Sequence, residues 1–216
     1  MKRERVLVVS PHPDDEALGV GGTILKLREM DFEVHWLVFT NMDENNYDKE
    51  AVRLRNTEID QVYNDFDMQT YRNLNLSPAE LDLVPLRQLV THVKEYLSKI
   101  KPTVVFIPHF NDAHSDHGVV HDTMISNLKL FRYPELKYLF AYETISETDA
   151  TLRQGEIFKP NIYVDISKYL SKKLKICSFY KSEFSVFPFP RSLEAVEALA
   201  KYRGAQSGHH AAEAFQ

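Results

Sequence analysis

Residues 5–16 read RVLVVSPHPDDE, an apolar run that ends at a proline and gives way to one imidazole and three carboxylates. Val6 to Val9 without a polar break is the pattern of a strand buried on both faces, as in a parallel sheet covered by helices. The segment that begins near Gly21, GGTILKLREM, places Ile24, Leu25 and Leu27 inward on a helix, so the first unit reads as strand then helix. Working outward, Glu33 to Thr40 (EVHWLVFT) reads as a second strand, and Asp48 to Phe66 as a helix with Val52, Ile59 and Val62 on its buried side. A weaker strand near Tyr71 to Leu76, a helix near Ala79 to Ile100 and the strand Thr103 to Pro108 continue the alternation. This series predicts an α/β fold: a Rossmann-like, mostly parallel sheet with helices on both faces. Beyond it the pattern gives a helix near His117 to Phe131, strands near Lys137 to Tyr142 and Ile162 to Asp165, and helices near Ser167 to Glu183 and Ser192 to Arg203. The stretch Val186 to Arg191 (VFPFPR) is short enough to be a loop inside a domain, and one domain is expected over residues 1–216.

The chain has 216 residues, 44% hydrophobic and 26% charged, which suffices for one full α/β core. A formal net charge of −5 offers no field to attract nucleic acid or an acidic membrane, so neither is an expected partner. Cys177 is the single cysteine and cannot close a disulfide within the chain. The start MKRERVLVVSPHPDDE lacks the apolar run and small-residue cleavage site of a secretory signal, and a cytoplasmic location is the expectation. The longest apolar runs, VLVVSP and TVVFIP, are strand-sized, far short of the ~20 residues a membrane helix needs. The sequence leaves homo-oligomer formation open.

Two polar segments carry the chemistry. SPHPDDE supplies His12, Asp14, Asp15 and Glu16 where the first strand runs out. After TVVFIP comes HFNDAHSDHG, with His109, Asp112, His114, Asp116 and His117 just past the fourth strand. In an open α/β sheet, ligands bind off the carboxyl ends of the strands where strand order reverses, commonly between strands one and four. These two segments are therefore expected to meet in one cleft. A catalytic zinc site takes three ligands from His and Asp/Glu and lowers the pKa of a water in its open position to about 7. His12, Asp15 and His117 supply that set, since one tight turn presents both His12 and Asp15. Zn²⁺ is the expected cofactor, and the same donors would also accept iron, cobalt or manganese. Asp14 is left beside the ion, placed as a general base. His114, paired with Asp116, is placed to stabilise an oxyanion or to protonate a departing amine.

Each of these residues has a structural alternative. Asp14 or Asp15 alone reads as a helix cap, and His114, Asp116 or His117 alone as a polar loop. One open metal site explains both segments together, which favours the metal reading. His209 and His210 are adjacent in a tail and read as solvated rather than as a second metal site.

The pair PHPDDE and HSDH resembles the LmbE/PIG-L family of metal-dependent de-N-acetylases, which act on N-acetylglucosaminyl lipids, thiol-precursor glycosides and other amino sugars. Arg55-Asn56-Thr57-Glu58 resembles that family's R-x-x-E, and RGAQSGHHAAEAF its C-terminal segment. The resemblance implies zinc held by His12, Asp15 and His117, Asp14 as base, and His114 oriented by Asp116 as electrostatic or acid partner. It departs from the family's Thr-x-Gly-Glu turn, where this chain has Thr40-Asn41-Met42-Asp43. Arg55 is a candidate substrate contact, with an ordinary ion pair to Glu58 as its alternative. Tyr142, with Glu143, closes a strand at the same sheet edge and is a second candidate, with packing as its alternative. Arg203, Gly204 and Glu213 have the same standing.

The expected function is hydrolysis of an N-acetyl group from an amino sugar, free, nucleotide-linked or glycosidic. An amidase acting on another sugar-linked amide is the near alternative. A nucleotide-binding oxidoreductase would suit the fold, but it needs G-x-G-x-x-G in the first turn, where this chain has HPDDE. A metal-storing protein would need neither the spare Asp14 nor the His114 and Asp116 pair.

Overall fold

The computed structural model describes residues 3–152, 155 and 157–216. In chain order the elements are β1 (Arg5–Ser10), α1 (Asp15–Glu29), β2 (Glu33–Thr40), α2 (Lys49–Asp65), β3 (Thr70–Leu76), α3 (Leu86–Ile100), β4 (Val104–Pro108) and α4 (Ser115–Asn127). There follow β5 (Tyr138–Tyr142), β6 (Ile162–Asp165), α5 (Leu170–Cys177), α6 (Leu193–Ser207) and β7 (Ala212–Phe215). The strands form one sheet in the order β3-β2-β1-β4-β5-β7-β6, parallel through the first five, with β7 antiparallel to both of its neighbours. Side chains of β1 alternate between two cores. Val6 and Val8 join Trp36, Val38 and Ile24 on one face, while Leu7 and Val9 join Leu37, Phe39, Leu89 and Val93 on the other. Covering both faces is what requires the unbroken apolar run. The chain moves outward from β1 to β3, then returns to place β4 on the other side of β1, so the crevice between the carboxyl ends of β1 and β4 is the switch point of the sheet.

Helix boundaries depart from the sequence pattern at several places. α1 begins at Asp15, a turn and a half before Gly21, and is buried from Asp15 to Leu25. The early glycines that argue against a helix by propensity are there for close packing. A Cβ on Gly19 would lie 2.4 Å from the Tyr142 ring and 2.8 Å from the backbone oxygen of Glu143, and one on Gly22 would lie 2.6 Å from Ile166. Gly19→Ala is therefore expected to destabilise the protein although alanine is the better helix former. Overpacking costs roughly 1–3 kcal/mol against a propensity gain of at most about 1 kcal/mol. Thermal unfolding monitored by far-UV circular dichroism would show a lowered Tm.

α3 starts at Leu86 rather than Ala79, because Asp116 holds the preceding loop by accepting from the backbone N–H of Ala79 (2.8 Å) and Leu81 (3.2 Å). α4 starts at Ser115 and ends at Asn127, α5 ends at Cys177, and α6 runs to Ser207, where Gly208 at φ 77° closes it. Left-handed glycine is the usual helix stop.

Strand β7 lies in what the sequence pattern leaves as a tail. Its Glu213 is buried and accepts from the backbone N–H of Gly22 (2.8 Å) and Thr23 (2.7 Å) and from Lys173 Nζ (2.7 Å). Glu213 is thus a core strut. Arg203 donates to Glu143 at 2.7 Å, and a Cβ on Gly204 would lie 2.6 Å from the backbone oxygen of His209. No helix among the described residues is long and apolar enough to cross a membrane.

Candidate active site

The loop from β1 to α1 is wound tightly by its own side chains. Asp15 Oδ2 accepts from the backbone N–H of His12 at 2.9 Å, and Glu16 Oε2 accepts from that of Asp14 at 3.1 Å. Asp14 precedes α1 at φ 145°, a backbone conformation that costs a non-glycine residue about 1–3 kcal/mol. Its side chain makes no cap hydrogen bond, so the helix-cap reading does not account for it. The carboxylate Oδ1 of Asp14 is instead buried without a hydrogen-bond partner.

From the end of β4, the start of α4 brings His117 against this loop. Ligand atoms of His12, Asp15 and His117 lie within 4.8 Å of one another. His117 Nε2 is 3.5 Å from Asp15 Oδ1, and both atoms are buried with no hydrogen-bond partner. Two imidazoles and a carboxylate that converge in this way, with one atom each of His117 and Asp15 orphaned, fit a divalent metal ion. Each imidazole is also backed by a second carboxylate. His117 Nδ1 pairs with Asp112 Oδ2 at 2.7 Å, Asp112 accepts from Thr148 Oγ1 at 2.6 Å, and His12 Nε2 pairs with Asp116 Oδ2 at 2.9 Å. Carboxylates in that position fix the orientation of ligating histidines.

The pairing of Asp116 corrects one expectation. It sits 4.0 Å from His114 Nδ1 and 2.9 Å from His12, so His12 is its closer imidazole. His114 Nδ1 instead accepts from the backbone N–H of Asp116 at 3.1 Å, capping α4. A neutral imidazole that accepts at Nδ1 carries its proton on Nε2. Partial burial, assisted by the positive His12, lowers the pKa of His114 and favours that neutral form.

The electrostatics follow from this crowding. Burial disfavours a charged His12, but hydrogen bonds to Asp116 and Asp15 outweigh it and push the pKa up to about 10. His117 is raised in the same way, chiefly by Asp15 against burial. Asp15 is held well below the usual carboxylate range, because His117 and His12 overcome its burial. Asp14 moves the other way: burial and the neighbouring charge of Asp15 raise it to about 7, with Arg191 opposing. Glu16, buried against the Tyr180 hydroxyl at 2.7 Å, is raised by burial to about 8.

A cavity of about 390 Å³ opens beside the cluster, lined by His12, Asp14, His114, Asn41, Tyr47 and Arg55 among others. Arg55 is no surface residue. It is 5% exposed, donates to the Pro13 carbonyl at 2.9 Å and to Ser182 Oγ at 2.7 Å, and pairs with Glu183. Tyr142 is fully buried with its hydroxyl on the Val9 carbonyl at 2.9 Å, so it packs in the core and does not line the cavity. Arg191, which the sequence pattern leaves in a loop, reaches Asp14 Oδ2 at 2.9 Å, Glu147 Oε1 at 2.8 Å and Glu183 Oε2 at 3.3 Å. Its Pro-rich setting carried no signal for this role. A groove of about 590 Å³ at the β3 edge, lined by Asn56, Asn73 and Asn75 among others, lies apart from the carboxylate and histidine cluster.

A mostly parallel sheet that brings His12, Asp15 and His117, a set that could hold a metal ion, to its switch point with a buried carboxylate nearby fits the class of metal-dependent hydrolases. The family model described as PIG-L, GlcNAc-PI de-N-acetylase, matches residues 7–127, and the chain belongs to that family. It is 26% identical to the diacetylchitobiose deacetylase of Thermococcus kodakarensis over 99% of this chain and 82% of that protein. It is 30% identical, over 58% of this chain and 61% of the other, to a Bacillus subtilis protein named "Probable N-acetyl-alpha-D-glucosaminyl L-malate deacetylase 2". Among solved structures, the conserved protein TT1542 of Thermus thermophilus superposes with a TM-score of 0.79 at 26% identity, covering 97% of this chain and 92% of that one.

Proposed function

We propose that this chain is a zinc-dependent hydrolase that removes the N-acetyl group from an amino sugar, or from its glycoside or nucleotide conjugate, releasing acetate and a primary amine. The observation that carries this reading is the placement of Asp14, whose unpartnered Oδ1 is buried next to the set His12, Asp15 and His117. Zinc bound by those three residues would polarise the acetyl carbonyl and acidify the attacking water. A water oxygen that adds to the carbonyl carbon must lose a proton, and Asp14 Oδ1 is the free acceptor for it. Arg191 holds the other oxygen, Oδ2, so the carboxylate presents Oδ1 in a fixed direction.

When the C–N bond breaks, the nitrogen leaves as an amine only if it gains a proton, which Asp14 can return. His114 lines the same cavity with its donor on Nε2, where it can stabilise the oxygen of the tetrahedral centre or supply that proton. Water and amide in, acetate and amine out, the proton count closes without any further reactant. The first turn HPDDE lacks the G-x-G-x-x-G that lets the backbone approach a dinucleotide, which disfavours the oxidoreductase alternative.

Acetate release from free, glycosidic and nucleotide-linked N-acetyl amino sugars tests this function. Zinc-restored protein is expected to release acetate from at least one of them, and metal-stripped protein from none. No release from any would send the assignment to another sugar-linked amide.

A further inference from the structure

Glu183 lies between the two guanidinium groups of the cleft. Its Oε1 accepts from Arg55 Nη2, its Oε2 accepts from Arg191 Nη1 at 3.3 Å, and the side chain lines the cavity with 30% of its surface exposed. Two arginines converging on one point make a fork suited to a phosphate or carboxylate. In this chain the fork is already filled from within.

We infer that Glu183 occupies the anion seat of the cleft, so that the enzyme selects amino-sugar conjugates whose aglycone is uncharged and rejects those that carry phosphate or carboxylate. This rests on the de-N-acetylase reading above. Most other donors of the two arginines are committed, and Arg55 Nε, which has no hydrogen-bond partner, is buried 3.5 Å from Glu58 Oε2 and out of reach of a ligand. Arg55 holds Pro13 and Ser182, and Arg191 holds Asp14, Glu147 and Ser146. An incoming anion must then displace Glu183 or lie beside Asp14 and Glu183 with no countercharge of its own. Like charges brought together in a cleft strongly suppress the wrong partner. A sugar hydroxyl meets no such barrier, since it can donate to the exposed part of Glu183. The two named relatives fall on opposite sides of this division: diacetylchitobiose is uncharged, and a glucosaminyl malate carries two carboxylates.

The test compares kcat/KM for N,N′-diacetylchitobiose and for N-acetylglucosaminyl malate, using the zinc-loaded full chain. The wild type should favour the uncharged substrate by roughly ten-fold or more. Glu183→Gln and Glu183→Ala should each shrink that ratio by roughly ten-fold. Because the readout is a ratio, any loss at Asp14 common to both substrates cancels, which a merely structural role of Glu183 could not mimic. Glu183→Gln keeps the shape of the side chain and covers the case in which the alanine variant fails to fold. Inorganic phosphate supplies a readout independent of turnover: calorimetry should find tighter binding to Glu183→Ala than to wild type. Equal or better use of the malate conjugate by wild type, or a ratio unchanged in both variants, overturns the inference. If wild type releases acetate from neither substrate, the deacetylase reading is decided by the wider set of amino sugars named above, and phosphate binding that is equal in wild type and Glu183→Ala overturns the anion seat separately.

Discussion

Asp14→Asn is expected to keep its full zinc content and to lose about 10²–10⁴-fold in kcat, the usual worth of a positioned general base. Asparagine has the same shape and leaves His12, Asp15 and His117 untouched, but it cannot take a proton at the oxygen that Asp14 leaves unpartnered. The stability of the metal-free protein should move in the opposite direction to activity. Asp14 has a folded-state pKa of about 7, raised from 3.8 by burial and by Asp15. For an acid raised in this way, the folded state binds more protons than the unfolded state between those two values, so stability falls as pH climbs through that window. Above it the ionised carboxylate is a net burden on the fold, and its neutral replacement should raise Tm at pH 8. Zinc content by atomic absorption, kcat, and Tm measured at pH 5 and pH 8 together check the prediction. A parallel loss of zinc would show that Asp14 is a ligand and not a separate base.

The strands were readable because each needs only a local pattern. Val6 to Val9 and Val34 to Phe39 are apolar throughout apart from His35, and they lie buried under helices on both faces. The start of α1 was hidden because Gly19, Gly21 and Gly22 oppose a helix locally, and the close packing that Gly19 and Gly22 allow is with Tyr142 and Ile166, far along the chain. β7 was hidden for a related reason: Ala212 to Phe215 is four residues long, and its pairing with β5 and β6 depends on register across the whole domain. The convergence of His12, Asp15 and His117 was legible, since His12 and Asp15 share one turn and His117 follows a strand that had to lie beside the first. What surrounds the cluster was not. Arg191 meets Asp14 across 177 positions of sequence, and nothing in VFPFPR marks an arginine that faces inward. Proximity in sequence suggested that Asp116 serves His114, whereas the fold sets it closer to His12, 104 positions away.

Asp15→Asn is expected to cost more zinc affinity than any change behind the ligands, exceeding the roughly 10–100-fold loss typical when a partner of a ligating histidine is altered. The substitution keeps volume and removes the one negative donor of the set. Asp15 lies between His12 Nδ1 at 3.4 Å and His117 Nε2 at 3.5 Å, and its charge is a main reason both imidazoles hold protons when the ion is absent. A metal can bind only after those protons leave, because ligating imidazole is neutral. Zinc added to stripped wild-type protein at pH 7 should therefore release protons, and its affinity should rise as pH climbs towards 10, the value near which His12 titrates. In Asp15→Asn the imidazoles lose the carboxylate that favours their charge, so proton release per zinc should fall as affinity falls. Asp15 is also held below its ordinary pKa, so its ionised form supports the fold above about pH 4 and that support fades as pH drops through the depressed value. The asparagine variant should accordingly show a lower Tm at neutral pH and a smaller difference from wild type in strong acid. Zinc titrations in weak buffer with a pH indicator, run from pH 6 to pH 9 on both proteins, read the affinity and the proton count together. Equal affinity in the two proteins would remove Asp15 from the ligand set and leave His12 and His117 without the third donor that the proposed chemistry requires.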